Sequence, residues 1–162
     1  MTRGNPESSR SKRRAPTARE WGILAAVLLG VLAAMQLVPA EGQGVNPPVT
    51  GEPAWDSART RELFARSCAD CHSNRTRWPW YSRVAPLSWL VASDVREARE
   101  HLNVSEWDRP QKDADEAAEE VREGEMPLRS YLVAHPEARL TDAERAELAA
   151  GLEATFGGES HR

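Results

Sequence analysis

The fold of this chain is decided by residues 68–72, which read Cys68-Ala69-Asp70-Cys71-His72. The stretch holds both cysteines of the 162-residue chain and one of its four histidines. Two thiols three positions apart lie within about one helical turn, so both can reach vinyl groups on adjacent edges of one porphyrin. The histidine that follows then lies beneath the iron. The spacing is therefore typical of covalent haem attachment.

Two other uses of a cysteine pair compete with haem attachment. A thioredoxin-like redox pair lies beside a βαβ unit, and this sequence has no run of alternating β-branched residues. A structural zinc site needs four ligands, commonly including a second Cys or His pair, which the sequence lacks. We therefore favour haem c, with Cys68 and Cys71 as thioether donors and His72 as the proximal ligand of the iron.

Helical periodicity surrounds the motif on both sides. One predicted helix carries its apolar residues at three- and four-residue steps, namely Leu87, Leu90, Val91, Val95, Ala98 and Leu102. Helix-start and helix-stop signals mark the other helices, including a capping box of Thr141 with Glu144. We predict helices over residues 57–67, from Pro86 to Leu102, over residues 112–123 before Gly124, and from Thr141 to Gly157. The sequence thus predicts an all-α, small cytochrome c-like haem domain of four to five helices over residues 55–156.

The N-terminal part predicts one transmembrane helix that precedes this domain. Residues 1–20 are basic and resemble a disordered cytoplasmic tail. Residues 21–38 carry no charge and would span about 27 Å as a helix, enough to cross the hydrocarbon core. The basic residues would stay cytoplasmic, so the domain would face outward. A cleaved signal peptide is the alternative, because Val38-Pro39-Ala40 offers small residues, although signal segments are commonly shorter. All-round hydrophobicity disfavours a buried core helix.

The remaining segments are read from composition and charge. Residues 39–54 are rich in Pro and Gly and predict a linker, which if extended reaches about 40 Å and lets the domain swing clear of the lipid. Residues 157–162 form a tail. Net charge is −4, and because residues 1–20 sum to +4 the rest sums to −8. A nucleic-acid-binding protein would concentrate basic groups on the folded domain, so we expect no nucleic-acid partner.

Several elements beyond the motif resemble one known family. They are the Trp-Pro-Trp-Tyr-Ser run at 78–82, the Ala-Pro at 85–86, the Met-Pro at 126–127 and the His-Pro at 135–136. Together with the CxxCH motif they resemble the haem-binding domain family of small bacterial c-type cytochrome-like proteins, over about residues 55–156. The resemblance implies one haem and its iron in this domain, and it defines the cofactor better than the role.

Met126, His101 and His135 are the candidates for the sixth iron ligand. Met126 is the domain's only methionine and lies with Pro127 in a loop before the last helix, where c-type cytochromes typically place a distal methionine. A thioether suits iron in both oxidation states and raises the potential. We predict Met126 as the distal ligand and keep His135 as the alternative. The simpler reading is a methionine that fills a core gap, with both histidines near helix ends at the surface.

The aromatic residues after the motif are expected to line a haem pocket, because they combine a large apolar surface with a polar edge. They are Trp78, Trp80, Tyr81 and Trp89. Three arginines are candidates to pair with a haem propionate, namely Arg75, Arg77 and Arg83. The acidic residues 113–120 predict a solvated helix face, with attraction of a basic redox partner as the alternative.

These features predict a membrane-anchored c-type cytochrome-like protein, not an enzyme. It would transfer one electron at a time to a redox partner protein, on the periplasmic or extracytoplasmic side of the inner membrane. One alternative is a haem-based redox or gas sensor, or a haem-binding module, in which Met126 would be displaced from the iron. A peroxidase-type enzyme is the other alternative, and it would need an open iron position with a distal acid or base.

Overall fold

The computed structural model describes residues 17–157, and its contacts divide the chain into two units, Met1–Val38 and Pro39–Arg162. In the first unit, α1 (Ala18–Met35) begins with a capping box of Thr17 and Glu20. The capping box places the start of the helix at Ala18, three residues before the uncharged stretch of residues 21–38. Among the described residues, α1 is the one helix long and apolar enough to cross a membrane, a criterion that a signal sequence also meets. The predicted tails lie outside the described residues, except for residues 17–20 and 157.

The second unit is built from α-helices, and no strand occurs among residues 17–157. The helices are α2 (Ala58–Ser67), α3 (Ala69–His72), α4 (Leu87–His101), α5 (Ala117–Glu123), α6 (Arg129–Ala134) and α7 (Asp142–Phe156). Two 3₁₀ turns, Trp80–Arg83 and Pro136–Ala138, complete the described helical segments. The all-α prediction is confirmed. Helices α3 and α6 have only four and six residues, which is too short to show the apolar periodicity from which a helix is predicted.

The helix boundaries follow local capping chemistry. The Ser57 hydroxyl accepts the N–H of Thr60 at the start of α2, and the predicted capping box opens α7. Gly124 ends α5 with a positive φ of 79°, which glycine adopts without a steric penalty. The predicted start of that helix at residue 112 is wrong, because the N–H groups of residues 112 and 113 bond to the carbonyl of His101.

The hydrophobic core lies where α7 packs against α2 and α5. Leu63, Leu148 and Leu152 are buried there. Gly151 allows α7 to approach α2 closely, because a Cβ at that position would overlap the side chain of Thr60. Aromatic rings pack against one end of this core, and their pairs are Trp55 with Phe64, Trp55 with Phe156, and Trp107 with Phe156.

Helix α4 buries a narrower face than its apolar pattern suggests. Ser88, Ala92 and Val95 are buried, whereas Leu87 and Leu90 are exposed. The helix packs against α3 and the 3₁₀ turn at Trp80–Arg83, and small residues allow the close approach. Leu87 and Leu90 therefore belong to the predicted apolar face but not to the part of it that is buried.

The segment predicted as a linker is partly bound to the domain. The N–H groups of Thr50 and Gly51 donate to the carbonyl of Ser105, and the N–H of Trp107 donates to the carbonyl of Gly51. The Asn74 side chain donates to the carbonyl of Pro48 at 2.9 Å. The prediction of a freely swinging linker is therefore wrong for residues 45–54, which we call the strap. Proline and glycine exclude helix here but not hydrogen bonding to a neighbouring loop.

Candidate functional site

The five-residue motif consists of Cys68, which ends α2, and the four residues of the single-turn helix α3. The Cys68 carbonyl accepts the N–H of Cys71 at 3.1 Å and the N–H of His72 at 2.9 Å. This turn brings both thiols and the imidazole to the wall of one cavity. The cysteines are free and half-buried. The structure thus brings together the three residues that the sequence predicted to hold a haem.

The cavity has a volume of about 500 Å³ and lies among α2, α4, α5, α6 and α7. This volume is within the range usual for small-molecule and cofactor sites. Its apolar wall consists of Phe64, Leu102, Val121, Leu128 and Leu152. Side chains from both the first and the last helix of the domain contribute, so the cavity depends on the complete fold.

The imidazole of His72 is fixed in one tautomer by its surroundings. Its Nδ1 atom lies 3.1 Å from the carbonyl oxygen of Leu102. Because a carbonyl oxygen only accepts, Nδ1 must carry the proton, which leaves the lone pair on Nε2 for a metal. Burial lowers the pKa of His72, so the ring is neutral at neutral pH. A neutral, oriented imidazole is the form that binds iron.

The two thiols are protonated in the folded chain. Burial raises the pKa of Cys68 to about 12, and burial together with the nearby Asp70 carboxylate raises the pKa of Cys71 to about 11. Redox dithiols and zinc thiolates need the opposite shift, toward the thiolate. No group of three or more His, Cys, Asp or Glu that could hold a metal ion occurs within residues 17–157. The surroundings of the thiols thus favour neither a redox pair nor zinc.

Met126 lies on the wall of the same cavity as His72. After the left-handed turn at Gly124, the N–H groups of Glu125 and Met126 both donate to the carbonyl of Glu120 at 3.1 Å. These bonds fix the backbone that carries the methionine. The predicted proximal and distal ligands therefore share one cavity.

His135 lies outside that cavity. Its Nε2 atom is 2.9 Å from the Tyr81 hydroxyl, its Nδ1 atom is 3.3 Å from Glu137, and its ring stacks on Tyr131 at 4.3 Å. Both ring nitrogens are thus occupied. The geometry favours Met126 over His135 as the distal ligand. The remaining candidate, His101, does line the cavity, with its Nδ1 bonded to Asp113.

The predicted aromatic lining is wrong. The described residues that line the cavity include none of Trp78, Trp80, Tyr81 and Trp89. Trp80 is 79% exposed, Trp78 donates to Asn46, and Tyr81 bonds to His135, because this loop packs outward against the strap and α6.

The aromatic side chains that do line the cavity are Phe64 and Tyr131, and sequence analysis missed both. A signal existed for Phe64, which precedes Cys68 by four residues on one helix face. No comparable signal existed for Tyr131, whose hydrogen-bond partner Asp70 is 61 residues away in the sequence.

Charge around the cavity differs from the prediction as well. Arg77 pairs with Asp70 and Arg75 pairs with Glu52, and none of the cavity-lining residues within 17–157 is Lys or Arg. The wall instead carries five carboxylates, which are Asp94, Glu97, Asp113, Glu116 and Glu120. Burial and the neighbouring Glu97 raise the pKa of Asp94. The acidic stretch is therefore more than a solvated helix face.

Ser67 offers an independent test of whether a cofactor fits the cavity. It is 3% exposed, it lines the cavity, and its hydroxyl has no hydrogen-bond partner among the described residues. An unsatisfied buried hydroxyl costs about 1–3 kcal/mol, which a polar group of a bound molecule can offset. With two thiols, one imidazole and one thioether lining the same cavity, the residues present fit a haem.

Comparison with known proteins agrees with this fit. The model of a family described as a haem-binding domain matches residues 30–154, which is most of the chain. The match begins before residue 55, where the sequence resemblance started, so it includes the strap. No curated protein and no solved structure shows significant similarity to the chain.

Filling the cavity should remove its capacity for haem. Ala98 lies on the cavity wall, so Ala98→Phe should lower the haem content of the purified protein severalfold, because the added ring occupies space that the haem would need. Haem content per polypeptide is measured by absorption, and far-UV circular dichroism checks the fold. The control is Ala134→Phe, an exposed position on α6 that should retain full haem content. Equal haem content in the two variants would contradict the assignment of this cavity.

Proposed function

The chain belongs to the haem-binding domain family, and from that premise we propose that it is a c-type cytochrome that transfers one electron at a time. One observation carries this proposal, which is that His72 and Met126 line the same cavity as Cys68 and Cys71. That set would supply two attachment points for one haem and two ligands for its iron. An electron carrier needs no further chemical group.

Covalent attachment is the first part of the proposal. Cys68 and Cys71 would hold the haem by two thioether bonds, and His72 would bind its iron through Nε2. The hydrogen bond from Nδ1 to Leu102 keeps the ring oriented and increases its basicity as a ligand. The apolar residues of the cavity wall would lie against the bound haem.

Electron transfer is the second part. A bound haem supplies a one-electron couple, and the protein sets its ligands. The neutral imidazole of His72 and the thioether of Met126 would both bind the iron, and retention of both ligands in the two oxidation states would leave little to rearrange when an electron passes. The thioether also raises the potential.

The acidic wall supports a partner of opposite charge. Five carboxylates and no Lys or Arg among the described lining residues make the surroundings of the cavity negative. A surface on which the charges are all negative attracts a cationic partner and accelerates its encounter with the protein. We therefore propose a redox partner protein with a basic docking surface.

A membrane anchor is the third part of the proposal. Helix α1 is long and apolar enough to span, and basic residues precede it in the sequence. Under the positive-inside rule the basic end stays cytoplasmic, which puts the haem domain on the extracytoplasmic side.

A sensor or peroxidase-type enzyme is the second candidate, because His101 and Asp113 form a hydrogen-bonded pair on the cavity wall. Such a pair could serve as a distal acid or base if the iron had an open position. The coordination of the iron in the wild-type protein separates the two candidates.

Covalent attachment is tested by denaturing electrophoresis with haem staining. The wild-type band should stain when the protein is made in cells with haem-attachment machinery. Cys68→Ala and Cys71→Ala should each weaken the stain, because one thioether remains, and the double variant should lose it. Haem that migrates away from the wild-type polypeptide, or zinc in place of iron, would refute the cytochrome proposal.

Met126 is tested by absorption spectroscopy. The oxidised wild type should show the weak near-red charge-transfer band that is typical of a methionine thioether bound to haem iron. Met126→Ala should remove this band and lower the reduction potential. It should also leave the iron open to carbon monoxide. Met126→His should restore six-coordination at a lower potential. The control, His135→Ala, should leave the spectrum unchanged. A high-spin spectrum from His135→Ala alone would assign His135 instead, and a five-coordinate wild type would favour the second candidate.

The anchor is tested by membrane fractionation. High salt should leave the protein in the membrane fraction and detergent should release it, since an apolar span does not depend on charge. N-terminal sequencing of the mature protein is the control. A mature chain that begins near Glu41 would show that the segment is a cleaved signal and that the anchor is wrong.

A further inference from the structure

Asp70 has a placement that haem attachment does not explain. It occupies one of the two variable positions between Cys68 and Cys71, yet its side chain is nearly buried, with 8% of the residue exposed. A buried carboxylate is costly unless it is paired and hydrogen-bonded. Neither the thioether bonds nor the iron ligand requires an acid at this position. The partners of the carboxylate therefore indicate its role.

Two residues satisfy this carboxylate. The backbone N–H and Nε of Arg77 donate to Oδ1 at 3.0 and 3.2 Å, and an Nη2 atom donates to Oδ2 at 3.1 Å. The Tyr131 hydroxyl donates to Oδ2 at 2.9 Å. Arg77 thereby fixes the carboxylate within its own loop. Tyr131 joins it to α6, a helix 61 residues away in the sequence.

Helix α6 has little else to hold it. None of the six residues of Arg129–Ala134 is buried. Tyr131 lines the haem cavity on one side and stacks on the ring of His135 at 4.3 Å. A helix without buried side chains gains little from the hydrophobic effect. A hydrogen bond to a charged acceptor is therefore a large part of what fastens it.

This helix continues the segment that carries Met126. At one end of the segment, the N–H groups of Glu125 and Met126 are bonded to the carbonyl of Glu120. At the other end, five residues after the methionine, Tyr131 is bonded to Asp70. Met126 is thus held between two fixed points, and the second of them is the turn that carries the cysteines and His72.

We propose that Asp70 and Tyr131 are positioning residues, whose hydrogen bond fastens the Met126 segment to the CxxCH turn and sets how firmly the methionine is held on the iron. This inference rests on the proposed function, because it takes Met126 as the distal ligand. Its chemical consequence is specific. When the bond is lost, an external ligand should displace the methionine more easily.

The test uses the full-length holoprotein in detergent, oxidised, with imidazole as the competing ligand. Loss of the near-red band during titration reports displacement of the methionine. Tyr131→Phe retains the ring and its stacking but loses the hydroxyl, and it should increase the apparent affinity for imidazole about tenfold, as expected for a hydrogen bond to a charged group. An affinity within about twofold of wild type would overturn the inference.

A matched control separates positioning from general loosening. Tyr81→Phe also removes one tyrosine hydroxyl, which bonds to His135 and not to Asp70. It should leave the imidazole affinity unchanged. If Tyr81→Phe increases the affinity as much as Tyr131→Phe, the effect is not specific to Asp70 and the inference is wrong.

A double-mutant cycle with Asp70→Ala gives a second readout. The effects of two substitutions that break the same hydrogen bond are not additive. Tyr131→Phe should therefore change the imidazole affinity little further in a protein that already carries Asp70→Ala. Full additivity would overturn the inference. If the wild type lacks the near-red band, or if Met126→Ala retains it, the proposed function and this inference fail together. If the wild type shows the band and Met126→Ala removes it while Tyr131→Phe matches wild type, the inference alone fails.

Discussion

The site depends on one hydrogen bond, between Nδ1 of His72 and the carbonyl oxygen of Leu102. It determines which nitrogen of the imidazole has a lone pair and in which direction the ring points. The same backbone stretch binds His72 again, because the N–H of Val104 donates to the His72 carbonyl at 3.0 Å. A loop 30 residues away thus holds the histidine that follows the cysteines. The motif supplies the chemical groups, and this loop supplies their orientation.

The loop is in turn fixed by a buried polar network. Asn103 is 1% exposed, and its side-chain N–H donates to Asn74 while its backbone N–H donates to the side chain of Gln111. Its side-chain Oδ1 accepts the N–H of Ser105. Asn74 extends the network to the strap at Pro48. Buried networks with all their partners rigidify a fold. The strap is therefore part of the support of the site, in agreement with the family match that begins at residue 30.

Local chemistry made some features predictable and tertiary contacts made others unpredictable. The capping box at Thr141 and the haem-attachment motif each consist of residues that are close together in the sequence. Both can therefore be recognised from the sequence alone. The exposure of Trp80 and the binding of the strap depend on distant partners, which composition does not indicate. Periodicity gave α4 an apolar face, but its neighbours determined which part of that face is buried. Tyr131 was missed because its partner, Asp70, is distant in the sequence.

The proposed function requires that both His72 and Met126 bind the iron of one haem. Proton NMR of the reduced, diamagnetic holoprotein tests it most directly, because an axial methionine methyl lies over the porphyrin and its resonance is shifted far upfield by the ring current. We expect one such three-proton resonance, connected through the side chain to the backbone of Met126. Its absence from the reduced protein, with imidazole resonances of a second histidine in its place, would rule out Met126 as the distal ligand.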